Sequence, residues 1–308
     1  MNFKQAEILI YINKYQNITK AAESLGIKQP TVTFHMKNLE NEMNVILFEH
    51  NIGKIILTDA GKALLHYAEK IVMLTKDAED LMKTFSLNEM RTFKLGGSMI
   101  PSKYILPKFL SGFKNKYPKL HISLKTLSAP VICEMVSKFE LDLGIVSIIE
   151  ENKFNNLGFH YIDKDEMVLV YSPKSKLAQY KGKINAELIS KQPFILHDKN
   201  STTGTLTNKW AKENNITLAP YLEVASTEII KSMVVNNVGI SVLPLICIEE
   251  EVKSQKLLYT KLFNNSVQRN IYLVYNKERV MLPVVNEFID YFKEALILSK
   301  SDENENSN

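Results

Sequence analysis

Apolar positions in the first sixty residues recur with a helical period. Phe3, Ala6 and Ile10 fall on one side of 3–15 with Lys4, Glu7 and Lys14 off it, which predicts a first helix. Asn17 is placed to cap a second helix over 18–25, whose Ala21-Ala22 pair lets another helix approach closely, and Gly26 stops it. A third helix opens at Gln29-Pro30, where the missing proline N–H costs little, and buries Val32, Met36 and Leu39. Two β-rich runs, 46–48 and 55–57, flank the turn His50-Asn51-Ile52-Gly53-Lys54 and predict a two-stranded wing with Lys54 at its tip. Beyond it, apolar residues at 57, 64, 71, 78, 85 and at 60, 67, 74, 81 alternate spacings of three and four. That is an a/d heptad seam on a helix over 59–86, about 40 Å long at roughly 1.5 Å per residue.

After Arg91 the period changes. Predicted strands at 93–97, 121–127, 142–147, 166–171, 194–196, 221–224, 239–243, 256–262 and 271–275 alternate with helices at 102–116, 130–139, 203–214, 227–235, 245–253 and 283–298. This alternation predicts an α/β fold with a mainly parallel sheet. The last ten residues, SKSDENENSN, are polar and predict a disordered tail.

Helix, glycine turn, helix is a helix-turn-helix unit, and its chemistry lies on the face away from the core. Gln29, Thr31, Thr33, Phe34, His35 and Lys37 project from that face of the third helix. Their amide, hydroxyl and cationic groups have the lengths that reach base edges and phosphates in a major groove, although solvent alone also accounts for a polar face. The heptad seam, with Leu64, Tyr67, Ile71, Leu74 and Leu81 in it, fits pairing with a second chain, because a two-fold DNA site needs two reading heads. A long helix lying on its own domain is the alternative.

Composition narrows the class. With 308 residues, 45% hydrophobic and 23% charged, the chain buries two ordinary cores without disulfides or metals. Its longest nearly uninterrupted apolar run, 239–248, contains Pro244 and is half the length of a membrane span. Glu7 interrupts the apolar part of the N-terminus, which has no small-residue cleavage site, so a cytoplasmic protein is expected. Cys133 and Cys247 lack metal-ligand spacing and read as buried thiols. The net charge of +4 is uneven: residues 89–298 hold 27 Lys and Arg against 21 Asp and Glu, an excess of six.

Catalytic signatures are missing. The sequence has no GxSxG, HExxH, GxxxxGK[ST] or strand-following GxGxxG, and histidines 35, 50, 66, 121, 160 and 197 form no ligand-like spacing. His197-Asp198 near Ser201 is triad-like in composition only, since triads are defined by geometry. No cofactor or metal is expected. Instead, Ser98, Ser102, Ser128, Ser201, Thr202, Thr203, Ser226 and Thr227 sit where a strand end meets a helix start. Backbone N–H groups point outward there and attract anions. Together with the basic excess they point to a small anion or organic acid, although scattered surface lysines produce the same excess.

The run Ile18-Thr19-Lys20-Ala21-Ala22-Glu23-Ser24-Leu25-Gly26-Ile27, with Gln29-Pro30-Thr31-Val32-Thr33, Leu39-Glu40, Leu47-Phe48 and Leu57-Thr58-Asp59-Ala60-Gly61, closely resembles the winged helix-turn-helix of LysR-type transcriptional regulators. The resemblance continues through Leu95-Gly96-Gly97-Ser98, Leu106-Pro107, Tyr117-Pro118, Leu141-Asp142-Leu143-Gly144-Ile145 and Gly239-Ile240-Ser241-Val242-Leu243-Pro244. It implies a DNA-binding domain over 1–58, a dimerising linker helix over 59–88 and an effector-binding domain over 91–298. The last has type II periplasmic-binding-protein-like architecture, lobe one taking 91–162 and 267–298 and lobe two 163–266, with the effector in the cleft. It also implies that Gln29, Pro30, Thr33 and Phe34 face promoter DNA and that the wing grips the backbone. A homodimer or homotetramer that contacts RNA polymerase follows from the same resemblance. Phe34 replaces a frequent arginine, His50 an arginine, Thr33 a serine, and Lys28 a capping hydroxyl, so Lys28 offers a phosphate contact instead. The rival reading is a cytoplasmic solute-binding protein or sensor without DNA-binding activity.

Overall fold

The computed structural model describes residues 1–51, 53–86, 92–149, 154–181, 183–199, 201–263 and 267–305. Ile52 of the wing turn, the Phe85 side chain and 306–308 of the tail lie outside them. The chain divides into two compact units, Met1–Arg91 and Thr92–Asn308.

The first unit comprises α1 (Phe3–Tyr15), α2 (Ile18–Ser24), α3 (Gln29–Met43), β1 (Phe48–Asn51), β2 (Lys54–Leu57) and α4 (Asp59–Ser86). Asn2 and Gln5 close a capping box on α1, and the Asn17 side chain accepts the Lys20 N–H at 3.0 Å to start α2. Gly26, at φ +63°, takes the left-handed conformation that lets α3 turn away. Leu9, Ile12, Ala21, Val32, Leu39, Leu57 and Ala68 meet in one core; each fully buried Leu or Ile contributes about 1.5–3 kcal/mol. The wing strand begins at Phe48 rather than 46. Glu40 Oε1 accepts the Leu47 and Phe48 N–H groups at 2.8 and 3.1 Å, and Thr58 Oγ1 donates to the Ile46 carbonyl at 2.9 Å. Side chains thus take the Leu47 N–H and the Ile46 carbonyl, which a longer strand would use.

In chain order the second unit reads β3 (Phe93–Ser98), a π-helical turn (Pro101–Ile105), α5 (Leu106–Lys116), β4 (Ile122–Leu127), α6 (Ala129–Ser137), β5 (Leu143–Ile148) and β6 (Leu157–Tyr171). There follow α7 (Ala186–Ser190), β7 (Pro193–His197), α8 (Thr202–Glu213), β8 (Ala219–Val224), α9 (Thr227–Val235), β9 (Ser241–Pro244), α10 (Glu249–Lys253), β10 (Leu258–Lys261), β11 (Gln268–Asn276) and α11 (Pro283–Glu305). In the first lobe β3 is parallel to β4 and β5, and β11 is antiparallel to β5. The first part of β6 pairs antiparallel with β11, and its last part pairs antiparallel with β9 and β10 in the second lobe. Beside them β7 and β8 pair in parallel.

The expectation of a mainly parallel sheet is therefore corrected: β6 and β11, which carry the chain between lobes, run in opposite directions, and alternation of side chains carries no signal of strand direction. The expected strand 166–171 is the end of a fifteen-residue strand. The closing helix also continues to Glu305, so 299–305 are helical and not a disordered tail. Extending a helix already nucleated by packed residues such as Phe288 and Phe292 needs no new nucleation.

Candidate DNA-reading face and effector cleft

Lys28, Gln29, Pro30, Thr31, Phe34 and Lys37 are exposed along the start and outer face of α3, and Thr33 is half-buried among them. Lys28 occupies the N-cap without a side-chain cap hydrogen bond, since an ammonium only donates and cannot accept the helix N–H groups. Gln29 Oε1 accepts the Thr19 hydroxyl at 3.3 Å, and Thr33 Oγ1 donates back to the Gln29 carbonyl at 3.3 Å. The α2–α3 pair thereby holds Gln29 in place. Phe34 is 60% exposed with its ring edge-on to His35, an apolar group in the middle of a polar face. Lys54 is exposed and pairs across the hairpin with Asn51, beside the turn.

On α4, Ala68 and Val72 are buried in the unit's own core and Leu64 packs against it. Leu64 is thus partly engaged in its own core, because this end of the helix completes the domain. Tyr67 at 62%, Ile71 at 39% and Leu74 at 45% exposure, with Met82 further on, form an apolar stripe on the other side. Leu81 is half-buried.

The second unit contains a cleft of about 540 Å³ between its lobes. Lobe one lines it with Ser98, Ser128, Ser147 and the apolar Met99, Ile100, Ile148 and Phe154; lobe two with His197, Asp198, Ser201, Thr202, Thr203, Thr205 and Thr227; Arg269 comes from β11. Six expected residues, Ser98, Ser128, Ser201, Thr202, Thr203 and Thr227, converge there. Ser102 and Ser226 do not line it. Ser102 Oγ is buried against Gly97, where a Cβ would meet it at 2.0 Å, and Ser226 Oγ caps α9 by accepting the Ile229 N–H.

Strand–helix junctions do not single out Ser147, His197 and Arg269 as cleft residues, since each lies on a strand. Ser147 Oγ is buried and, among the described residues, has no hydrogen-bond partner, while Ser98 Oγ accepts the Ser147 N–H at 3.0 Å. Ser128 stands at the N-cap of α6 with no side-chain cap bond. Thr202 Oγ1 donates to the Ser147 carbonyl at 3.2 Å, across the cleft. Arg269 Nε and Nη2 both reach Asp165 Oδ2, at 3.2 and 2.6 Å, in a pair almost wholly buried.

His197 and Ser201 do meet, with Nδ1 2.8 Å from Oγ. Ser201 Oγ, however, donates to the Asp198 carbonyl at 2.6 Å and accepts the Gly204 N–H at 2.9 Å. Its single proton is committed, so the imidazole is not a base acting on it. Burial lowers the His197 pKa, against the pull of the Asp198 charge, and keeps the ring neutral. Both thiols are inert: burial pushes Cys133 up to about 12 and Cys247 upward as well.

A second contact between lobes lies beside the cleft. Tyr104 donates to Glu228, Lys103 Nζ reaches the same carboxylate at 2.8 Å, and Lys231 binds Glu228 at 3.3 Å and Glu251 at 3.0 Å. Burial pulls the Lys231 ammonium down, but Glu251 and Glu228 outweigh it and raise its pKa. Ile100 packs with Ile195, Ile230 and Leu243 of lobe two.

Among the described residues no helix is long and apolar enough to cross a membrane, and no cluster of ligand residues fits a metal ion. Two family descriptions match in tandem: "Bacterial regulatory helix-turn-helix protein, lysR family" over residues 3–62 and "LysR substrate binding domain" over 88–297. A "Probable RuBisCO transcriptional regulator" of Thalassiosira pseudonana is 27% identical over 303 residues, 97% of each chain. The "HTH-type transcriptional activator CmpR" of Synechocystis sp. is 28% identical over 287 residues, 93% of each chain. The crystal structure of full-length CbnR complexed with its target DNA shares the fold, with TM-score 0.62 at 18% identity over 96% of this chain and 99% of that one. With a LysR-family description matched to each half of the chain, the protein belongs to the LysR family and is a DNA-binding transcriptional regulator.

Proposed function

We propose that this regulator reads promoter DNA with Lys28, Gln29, Pro30, Thr31, Thr33, Phe34 and Lys37 of α3, that Lys54 contacts a phosphate, and that the cleft of the second unit takes a small acidic effector. It works in the cytoplasm as a homodimer or homotetramer joined through Tyr67, Ile71 and Leu74, and effector binding alters its contacts with RNA polymerase. The observation that carries the effector reading is Ser147, a buried hydroxyl with no hydrogen-bond partner among the described residues, in a cleft also lined by Ser128, which makes no side-chain cap bond at the N-terminus of α6. A buried polar group left unpaired costs about 1–3 kcal/mol, which an acceptor atom of a ligand relieves. Anions are favoured because the N-terminus of α6 opens on the cleft, where the positive end of the helix dipole attracts negative charge.

The test uses the full chain and DNA from its own promoter region. Small carboxylates, inorganic anions, and neutral and cationic controls are screened by thermal shift, and active compounds are added to gel-shift reactions. The expected outcome is that anions raise Tm and change the DNA complex. Stabilisation by neutral or cationic compounds alone overturns the anion reading, and absence of specific DNA binding by the folded protein overturns the assignment of the α3 face.

A further inference from the structure

The geometry points to an effector that is a monocarboxylate carrying a hydrogen-bond donor at its far end, because the two walls of the cleft offer opposite hydrogen-bonding groups. This rests on the acidic-effector reading above and narrows it.

The assignment follows from counting protons. Ser201 has one hydroxyl proton, and the 2.6 Å contact to the Asp198 carbonyl requires it, since two lone-pair-bearing oxygens at that distance repel. The 2.8 Å contact between Ser201 Oγ and His197 Nδ1 therefore takes its proton from the ring. His197 is neutral, so with Nδ1–H the other nitrogen, Nε2, bears a lone pair. Thr227 Oγ1 lies 3.2 Å from Nε2 and donates to it. What Thr227 presents to the cleft is then an oxygen lone pair. Thr202, whose proton goes to the Ser147 carbonyl, presents the same.

The Thr202 and Thr227 hydroxyls thus make lobe two an acceptor wall. Lobe one is a donor wall. Ser98 Oγ already accepts the Ser147 N–H, so its own proton is left to give, and Ser147 and Ser128 add hydroxyls next to the start of α6. The guanidinium in the lining, Arg269, is held by Asp165 and faces one carboxylate already. A carboxylate seated on lobe one is satisfied. A second anionic group facing Thr202 and Thr227 would set lone pair against lone pair, whereas a hydroxyl or ammonium there is satisfied by both.

Four matched sets test this by thermal shift and calorimetry on the full chain: butanoate and hexanoate; succinate and adipate; the ω-hydroxy acids 4-hydroxybutanoate and 6-hydroxyhexanoate; and the ω-amino acids 4-aminobutanoate and 6-aminohexanoate. Butanediol and hexanediol serve as neutral controls. At least one donor-bearing acid binds about ten- to a hundredfold more tightly than its bare and dicarboxylate counterparts, and the hydroxy and amino sets show which donor is preferred. In Thr227→Val, which keeps the side-chain shape, that advantage shrinks. Nitrogen NMR of the ring, independent of any ligand, shows His197 as the neutral Nδ1–H tautomer at pH 7. Equal binding of bare carboxylates or dicarboxylates overturns the inference while leaving the acidic-effector reading intact. Binding of the diols alone overturns both. Binding of no compound, or an Nε2–H tautomer, overturns the inference.

Discussion

Thr202, the first residue of α8 in lobe two, donates its hydroxyl to the carbonyl of Ser147 in β5 of lobe one at 3.2 Å. This side-chain hydrogen bond joins the lobes inside the cleft, while Lys103 and Tyr104 join them through Glu228 beside it. Replacing Thr202 by valine keeps the shape and removes the bond. A neutral hydrogen bond contributes about 0.5–1.5 kcal/mol, so the melting temperature of the full chain falls by a few degrees and the transition of the second unit remains single, since the Glu228 cluster persists. An unchanged melting curve shows that the contact contributes nothing.

The Asp165–Arg269 pair is of another kind. Both side chains are almost fully buried, on β6 and β11 where the chain passes between lobes. Asp165→Asn leaves a buried guanidinium without its counter-charge and destabilises the second unit by about 3–5 kcal/mol. The double variant Asp165→Leu, Arg269→Met removes both charges and recovers most of that loss. Denaturant titration measures each value, and a single variant as stable as wild type refutes the buried pairing.

The first unit was legible because its signals are local. Asn17, Gly26 and Pro30 fix helix ends within one turn, and the helical spacing of Val32, Met36 and Leu39 places the opposite face outward. The cleft was legible only in part. Ser98, Ser128 and Thr202 announce themselves as hydroxyls at element ends, but Ser147 and Arg269 lie inside strands that read as core. They face the cleft because β5 and β11 pair with each other, a relation between residues more than a hundred positions apart that no local pattern encodes. Ser102 misleads for the same reason, since Gly97 on the neighbouring strand leaves the space its hydroxyl fills.

Gln29 is exposed, and its only described side-chain bond is to the exposed Thr19 hydroxyl. Gln29→Ala therefore leaves stability within about 0.5 kcal/mol of wild type but weakens binding to the specific site by about 1–3 kcal/mol. Paired measurements of melting and of gel-shift affinity at fixed salt separate the two. Equal loss on specific and unrelated DNA shows that Gln29 reads no base.

His197 makes the stability of the second unit depend on pH. Its folded pKa is lowered by burial, with Arg269 acting in the same direction and Asp198 opposing. A lowered histidine pKa means that the unfolded chain takes up the proton first. The stabilisation present above about pH 6.5 is then lost as pH falls through that value toward the folded pKa. Melting temperature thus declines more steeply from pH 7 to pH 5 in wild type than in His197→Gln, which retains hydrogen bonding without titrating. Parallel curves for the two proteins assign the decline to other groups.

Leu74 separates the stability of a monomer from that of an assembly. Ala68 and Val72 fix α4 onto its own core, whereas Leu74 stands on the opposite side, 45% exposed, in line with Tyr67 and Ile71. A glutamate in its place loses little within one chain, because the position is half in water already. In a paired helix the same change brings two carboxylates into an apolar seam, where burying an unpaired charge costs several kcal/mol. Leu74→Glu is therefore expected to unfold at nearly the wild-type temperature when dilute, to sediment as a monomer, and to bind a two-half-site operator much more weakly than a single half-site comparison predicts. A Leu74→Glu variant that still sediments as a dimer places the contact between copies away from the Tyr67–Ile71–Leu74 stripe. Loss of the folded state in the dilute protein shows instead that Leu74 serves its own domain.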